Sequence, residues 1–216
     1  MATELDQVDL DFTKEVINIG FAKSADSLSY FLNEKVYIQP YDMKFNSDNY
    51  FPLSKKNSIN NSYLLTTHIK GAFEGKAYLI FSEKEVEKLL TANFSQSILS
   101  KSPEEKSGII NDFLLEIDNI ISASVITQFA NLLKYSIHGD VPKLDIVPSS
   151  ELNEFLRKSN PGELKIFYLN SKFVTKNVDI SPEFIWLLDD RFFNQVNQIL
   201  GSKQKSELYA KLTSNS

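Results

Sequence analysis

Ser102-Pro103-Glu104-Glu105-Lys106-Ser107-Gly108-Ile109-Ile110-Asn111-Asp112-Phe113-Leu114-Leu115-Glu116-Ile117-Asp118-Asn119-Ile120-Ile121 is the stretch on which the fold turns. It opens with a capping Ser, a Pro in the first turn and a Glu three residues after the Ser, the marks of a helix start. Ile109, Ile110, Phe113, Ile117, Ile120, Ile121, Val125, Phe129 and Leu132 then recur at the steps of an amphipathic helix. Away from that apolar side stand Asp112, Glu116 and Asn119, spaced i, i+4 and i+7, which stack on one helix face.

The same triad stands near the N-terminus as Asp11, Glu15 and Asn18. It too sits in a helical pattern, from about Asp9 to Leu32, with Phe12, Val16, Ile19, Ala22, Ala25, Leu28 and Leu32 as the apolar positions and Asp9 or Asp11 as the expected cap. One polar triad on a helix is ordinarily a solvated face, and acids near a helix start also suit the macrodipole. An identical triad at equivalent places in two halves of one chain makes the stripe a candidate working surface. Asp11 and Asp112 are expected at the helix start or the rim, and Glu15, Asn18, Glu116 and Asn119 at the centre.

Outward from the two helices, each half follows one order: long helix, strand, variable insert, strands, short helix. Lys35–Gln39 reads as a strand ending near Pro40, and 46–62 as a polar loop. Tyr63–Ile69 and Lys76–Phe81 read as strands joined by a hairpin-like turn, with a short helix from Ser82. In the second half Tyr135–His138, Leu164–Asn170, Phe173–Ile180 and Phe184–Leu188 read as strands, Ser149–Arg157 as a short helix, and Asp189 opens a last helix. Tyr78-Leu79-Ile80-Phe81-Ser82 enters its helix as Ile185-Trp186-Leu187-Leu188-Asp189 does. A unit of this length is too long for a solenoid repeat. The expected class is α+β: one pseudo-twofold domain over 1–216 with halves at about 9–95 and 102–200, an antiparallel sheet packed with two long helices, and a polar tail over 201–216.

Composition limits the functions open to such a domain. Of 216 residues 42% are apolar and 12% aromatic, enough for a sizeable core, and the net charge of −5 argues against nonspecific binding to nucleic acid or anionic membrane. No cysteine is present, which removes disulfides, zinc–thiolate sites and thiol nucleophiles and fits a reducing compartment. The acidic start Met1-Ala2-Thr3-Glu4-Leu5-Asp6 has no apolar core for a signal peptide, and no stretch of 18 uncharged apolar residues occurs, so the cytoplasm is the expected location. His68 and His138 are far apart in sequence with no ligand spacing, and the glycines are too scattered for a phosphate loop.

The stripes resemble the signature of the CheC/CheX/FliY family of chemotaxis phosphatases: Asp or Ser, three residues, Glu, two residues, Asn, then Pro 23 positions after the Asn. Asp112, Glu116, Asn119 and Pro142 match it fully; Asp11, Glu15 and Asn18 match, but Pro40 comes one position early. Asn18–Ser29 also looks like the family's first helix. Two sites in one chain, with no room for a C-terminal FliN-like domain, resemble CheC more than CheX or FliY. The resemblance implies dephosphorylation of a CheY-like response regulator that carries the phosphoaspartate and the Mg²⁺, so that this chain binds no cofactor of its own. It implies that Asn18 and Asn119 each orient a water for in-line attack, and that Glu15 and Glu116 pair with the regulator's active-site Lys. The alternative is a non-catalytic adaptor that binds a response regulator or a CheD-like protein.

Overall fold

The computed structural model describes residues 7–46, 51, 53, 60–160 and 164–200. Most of the predicted 46–62 loop, the first six residues and the 201–216 tail lie outside these. The elements run α1 (Gln7–Phe31), β1 (Tyr37–Asn46), β2 (Asn61–Gly71), β3 (Gly75–Ser82), α2 (Glu83–Asn93), α3 (Gln96–Leu99), α4 (Pro103–Leu133), β4 (Ile137–Gly139), β5 (Lys143–Pro148), a 3-10 turn (Ser149–Glu151), α5 (Leu152–Ser159), β6 (Lys165–Val174), β7 (Asp179–Ile180), β8 (Glu183–Leu188) and α6 (Asp190–Leu200). The class is α+β, as the periodicity predicts.

The helix starts follow from local chemistry. Ser102 Oγ accepts from the Glu105 amide at 3.3 Å, and the Ser102 amide donates back to the Glu105 carboxylate at 3.2 Å, so two orphan donors of α4 are satisfied. Ser82 and Glu85 form the same box at α2. At the other end Lys134 takes a left-handed conformation (φ 54°) and closes α4, and Asn33 (φ 53°) does so just past α1. The expected cap at Asp9 or Asp11 does not form. Helix α1 already runs from Gln7, so both acids lie inside it.

All eight strands pair antiparallel, in the order β1-β6-β8-β3-β2-β4, with β5 also on β2 and β7 on β6. This order reads the same from either end when β1 is exchanged with β4 and β5, β6 with β2, and β8 with β3. Each half therefore lends its edge strand to the other: β1 pairs β6, and β4 and β5 pair β2. The central strands alternate between two cores, the period-2 outcome of burial on both faces. Ala77, Leu79, Phe81, Phe184, Trp186 and Leu188 face the large core under α1, α4, α2 and α6. Tyr78, Ile80, Ile185 and Leu187 face a smaller core closed by Leu152 and Leu156 of α5.

Three strand expectations change. Strand β1 does not end at Pro40 but continues to Asn46 through a register shift between Pro40 and Asp42. An edge strand tolerates a proline, whose missing N–H can lie on the unpaired side. Phe173–Ile180 is not one strand: β6 runs on from Lys165 through buried Ser171 to Val174, and Thr175 then takes the amides of Asn177 and Val178 in a turn before β7. Strand β5 forms where the sequence analysis places no strand, although Leu144-Asp145-Ile146-Val147 carries strand-forming residues; the expected Tyr135–His138 strand shrinks to Ile137–Gly139 beside it.

Candidate functional site

Helices α1 and α4 pack as an antiparallel pair. Phe31 of α1 stacks on Phe113 of α4 with ring centroids 5.9 Å apart, and Gly20 meets Val125. A Cβ at Gly20 would stand 2.7 Å from both Val125 Cα and Cγ2, so the absence of a side chain lets the helix backbones approach here. The first stripe's residues lie on the outer side of α1: Asn18 is exposed, and Asp11 and Glu15 are half-buried. Asp112, Glu116 and Asn119 are all exposed. Buried Ile17, Phe21 and Leu28 on α1, and Leu114, Ile117 and Ile121 on α4, take the opposite sides into the large core.

The antiparallel register keeps the two stripes apart. With Gly20 against Val125 and Phe31 against Phe113, Asn119 is level with Asp26 of α1. That is eight residues beyond Asn18, about 12 Å along the axis at 1.5 Å per residue. The predicted residues thus form two separate surfaces, Glu15 with Asn18 and Glu116 with Asn119, and no composite site. Asp11 pairs with Lys14 at 3.6 Å. Asp112 is not a helix-start group, because α4 begins nine residues earlier at Pro103.

Neither stripe lines a concavity among the described residues. A groove of about 610 Å³ opens between α2, α4 and β5, walled by Tyr63, Glu87, Leu90, Ile110, Asn111 and Ile146 among others. It sits on the flank of α4, not on its stripe. A convex helix face suits insertion into another protein's cleft better than enclosure of a small molecule. No group of three or more His, Cys, Asp or Glu able to hold a metal occurs among the described residues. Strand pairing does bring the histidines closer than their spacing suggests, since His138 lies opposite Lys70. Burial, then the charge of Lys76, pushes the His68 pKa down.

Pro142 and Pro40 occupy related places. Pro142 is buried between β4 and β5, where the edge strand beside β2 is interrupted; Pro40 sits at the irregularity of the other edge strand, β1. The proline of each copy thus marks the break in an edge strand, and the one-residue difference in spacing accompanies a full break in one half and a register shift in the other.

One residue of the second stripe's turn escaped the sequence reading. Asp118 precedes Asn119 and is 1% exposed. Its carboxylate accepts from Thr67 Oγ1 of β2 at 2.7 Å and from Ser122 Oγ at 3.3 Å. Burial pushes its pKa up to about 6, against the downward pull of the two hydroxyls. The available signal was a lone carboxylate between Ile117 and Asn119, turned by the helical period toward the apolar side. Its partner, Thr67, is 51 residues away and had no local mark.

With the geometry in place, comparison with known proteins is informative at the level of fold. No family model matches the sequence, and no curated protein matches it. Solved structures do. FliY of Thermotoga maritima superposes with a TM-score of 0.69 over 91% of this chain and 99% of its own, at 17% identity. The fold is of the CheC/CheX/FliY type. FliM of H. pylori, in its complex with SpeE, matches with a TM-score of 0.59 over 93% of this chain and 98% of its own, at 8% identity. FliM in the FliG–FliM complex of H. pylori gives 0.56 over 88% and 100%, at 10% identity. No helix among the described residues of this CheC-type fold is long and apolar enough to cross a membrane.

Proposed function

We propose that this chain is a phosphatase for the aspartyl phosphate of a CheY-like response regulator, with two independent sites. The observation that carries this reading is the presentation of Glu15 with Asn18, and of Glu116 with Asn119, on the outer surfaces of two long helices in a CheC-type fold. Phosphoryl transfer is catalysed mainly by positioning and charge stabilisation, and the regulator's own Mg²⁺ supplies much of the second. What a helix inserted from outside adds is a fixed water. The carboxamide of Asn18 or Asn119 can accept a hydrogen bond from that water and hold it in line with the phosphorus. Glu15 or Glu116, one turn earlier, pairs with the regulator's active-site Lys and fixes the depth of the helix. Neither amide titrates near neutrality.

The test is the decay of a phosphorylated CheY-like regulator with Mg²⁺, alone and with the protein. Loss of one positioning group costs about 100- to 1000-fold at the site affected. Asn18→Ala and Asn119→Ala should each leave the other site working, and the double variant should bind the regulator without accelerating decay. Parental rates in the double variant would refute the mechanism. The competing reading is a non-catalytic adaptor for a regulator or a CheD-like protein, favoured by the likeness to FliM, seen in complexes with FliG and with SpeE. Binding of the phosphorylated regulator by the parent with no change in its decay would select it.

A further inference from the structure

The two stripes match in sequence, but what lies beneath them differs. Aligning Tyr78–Ser82 with Ile185–Asp189 makes Ala77 the counterpart of Phe184. Thr67 pairs Ala77 and Leu169 pairs Phe184, so Thr67 and Leu169 hold equivalent positions on β2 and β6. The offset between Asn18 and Asn119 likewise makes Ile17 the counterpart of Asp118, and Phe21 that of Ser122. Beneath the first stripe the trio is Ile17, Phe21 and Leu169, each 0% exposed. Beneath the second it is Asp118, Ser122 and Thr67, at 1%, 3% and 2%, joined by hydrogen bonds. Three apolar side chains in one half are replaced, together, by a carboxylate and the two hydroxyls that donate to it in the other.

Burying a carboxylate without a cation is unfavourable compared with an apolar side chain of similar size. No ion pair to Asp118 occurs among the described residues. What the polar trio supplies instead is direction. Apolar packing is non-directional, whereas a hydrogen bond holds its partners to a preferred angle. The Thr67–Asp118 bond ties α4 to β2 one residue before Asn119, and so fixes the angle at which Asn119 leaves the helix. We propose that Asp118 is a positioning residue for Asn119, and that through it the second stripe responds to protons while the first stripe does not. This rests on the reading of Asn119 as the group that holds water.

The physical basis is the change in bonding. As a carboxylate, Asp118 only accepts; once protonated it also donates, so at least one hydroxyl must turn and the charge-assisted bond to Thr67 weakens. Its ordinary range is lifted toward neutrality by burial. Helices α1 and α6 and strands β2, β4 and β5 pack on α4. None of the charged groups on them, among them Lys23 of α1, His68 and Lys70 of β2, His138 of β4, Lys143 of β5 and Arg191 of α6, sets the state of Asp118; burial and two hydroxyls do.

The experiment follows the side-chain amide resonances of Asn18 and Asn119 by NMR in the full chain between pH 5 and 8, without a regulator. The Asn119 resonances should shift with a midpoint near 6, reporting the protonation of Asp118, and those of Asn18 should not. Asp118→Asn should abolish the Asn119 titration. Thr67→Val, which removes a donor to the carboxylate, should raise the midpoint, and Thr67→Ser should restore it. A flat Asn119, or one that titrates unchanged in Asp118→Asn, overturns the proposal; should that variant not fold, an unmoved midpoint in Thr67→Val overturns it equally. A second arm compares regulator decay driven by the Asn18→Ala protein (second site only) with that driven by the Asn119→Ala protein (first site only). Their ratio should change severalfold across pH 6, and a constant ratio overturns the link to turnover. If neither protein accelerates decay, the phosphatase reading fails, while the NMR titration still decides the role of Asp118.

Discussion

Replacing Gly20 with Ala tests whether the α1–α4 crossing is set by close backbone approach. Two terms oppose each other. Alanine in a helix interior is favoured over glycine by about 1 kcal/mol. Against this, the new Cβ would lie 2.7 Å from Val125 Cα, a backbone atom that no rotamer change can move. Overpacking of this kind costs roughly 1–3 kcal/mol. Gly108 isolates the first term: it lies inside α4, and a Cβ there meets nothing within 4 Å. Gly108→Ala should therefore stabilise by about 1 kcal/mol, and the propensity term cancels when the two variants are compared. Gly20→Ala should be less stable than Gly108→Ala by roughly 1–3 kcal/mol. Urea denaturation at 25 °C measures this through the midpoint at constant slope. Val125→Ala in the Gly20→Ala background removes Cγ2 but leaves Cα, so rescue should be partial. Equal stability of the two alanine variants would refute a crossing held by the missing Cβ, and full rescue by Val125→Ala would refute a backbone clash.

Three further outcomes follow from single sites. A carboxyl raised from 3.8 to about 6 contributes stability that is complete below 3.8 and lost as pH rises through about 6. Asp118→Asn should thus be more stable than the parent at pH 8 by up to roughly 3 kcal/mol, with the gap closing below pH 4; denaturant midpoints at both pH values test this, and a gap that widens in acid would contradict the sign. Lys134 ends α4 at φ 54°, where a Cβ is unfavourable, so Lys134→Gly should raise stability by about 1 kcal/mol, seen as a higher thermal midpoint. Ser102→Ala removes the acceptor for the Glu105 amide and should cost about 1 kcal/mol, with earlier hydrogen exchange in the first turn of α4.

What could be read along the chain was whatever depends on near neighbours. The start of α4 was legible because Ser102, Pro103 and Glu105 act within one turn, and the hairpin of β2 and β3 because its alternation and turn are local. Both stripes were legible because helical period alone places i, i+4 and i+7 on one face. Strand β5 and the length of β1 were not, because both are edge strands whose extent depends on a partner from the other half. The run of β6 through Ser171 was hidden for a related reason: a polar residue interrupts the apolar pattern, and only the flanking β1 and β8 keep the strand extended.

The sequence by itself determined that two equivalent acid–amide stripes exist and that each faces outward, since periodicity and amphipathicity suffice for that. Only the tertiary structure decided that they stand about 12 Å apart along an antiparallel helix pair. It alone decided that one rests on Ile17, Phe21 and Leu169 and the other on Asp118, Ser122 and Thr67. The physical reason is range: a helix face is set by bonds four residues apart, whereas the tie between Thr67 and Asp118 exists only once the sheet has brought β2 beneath α4.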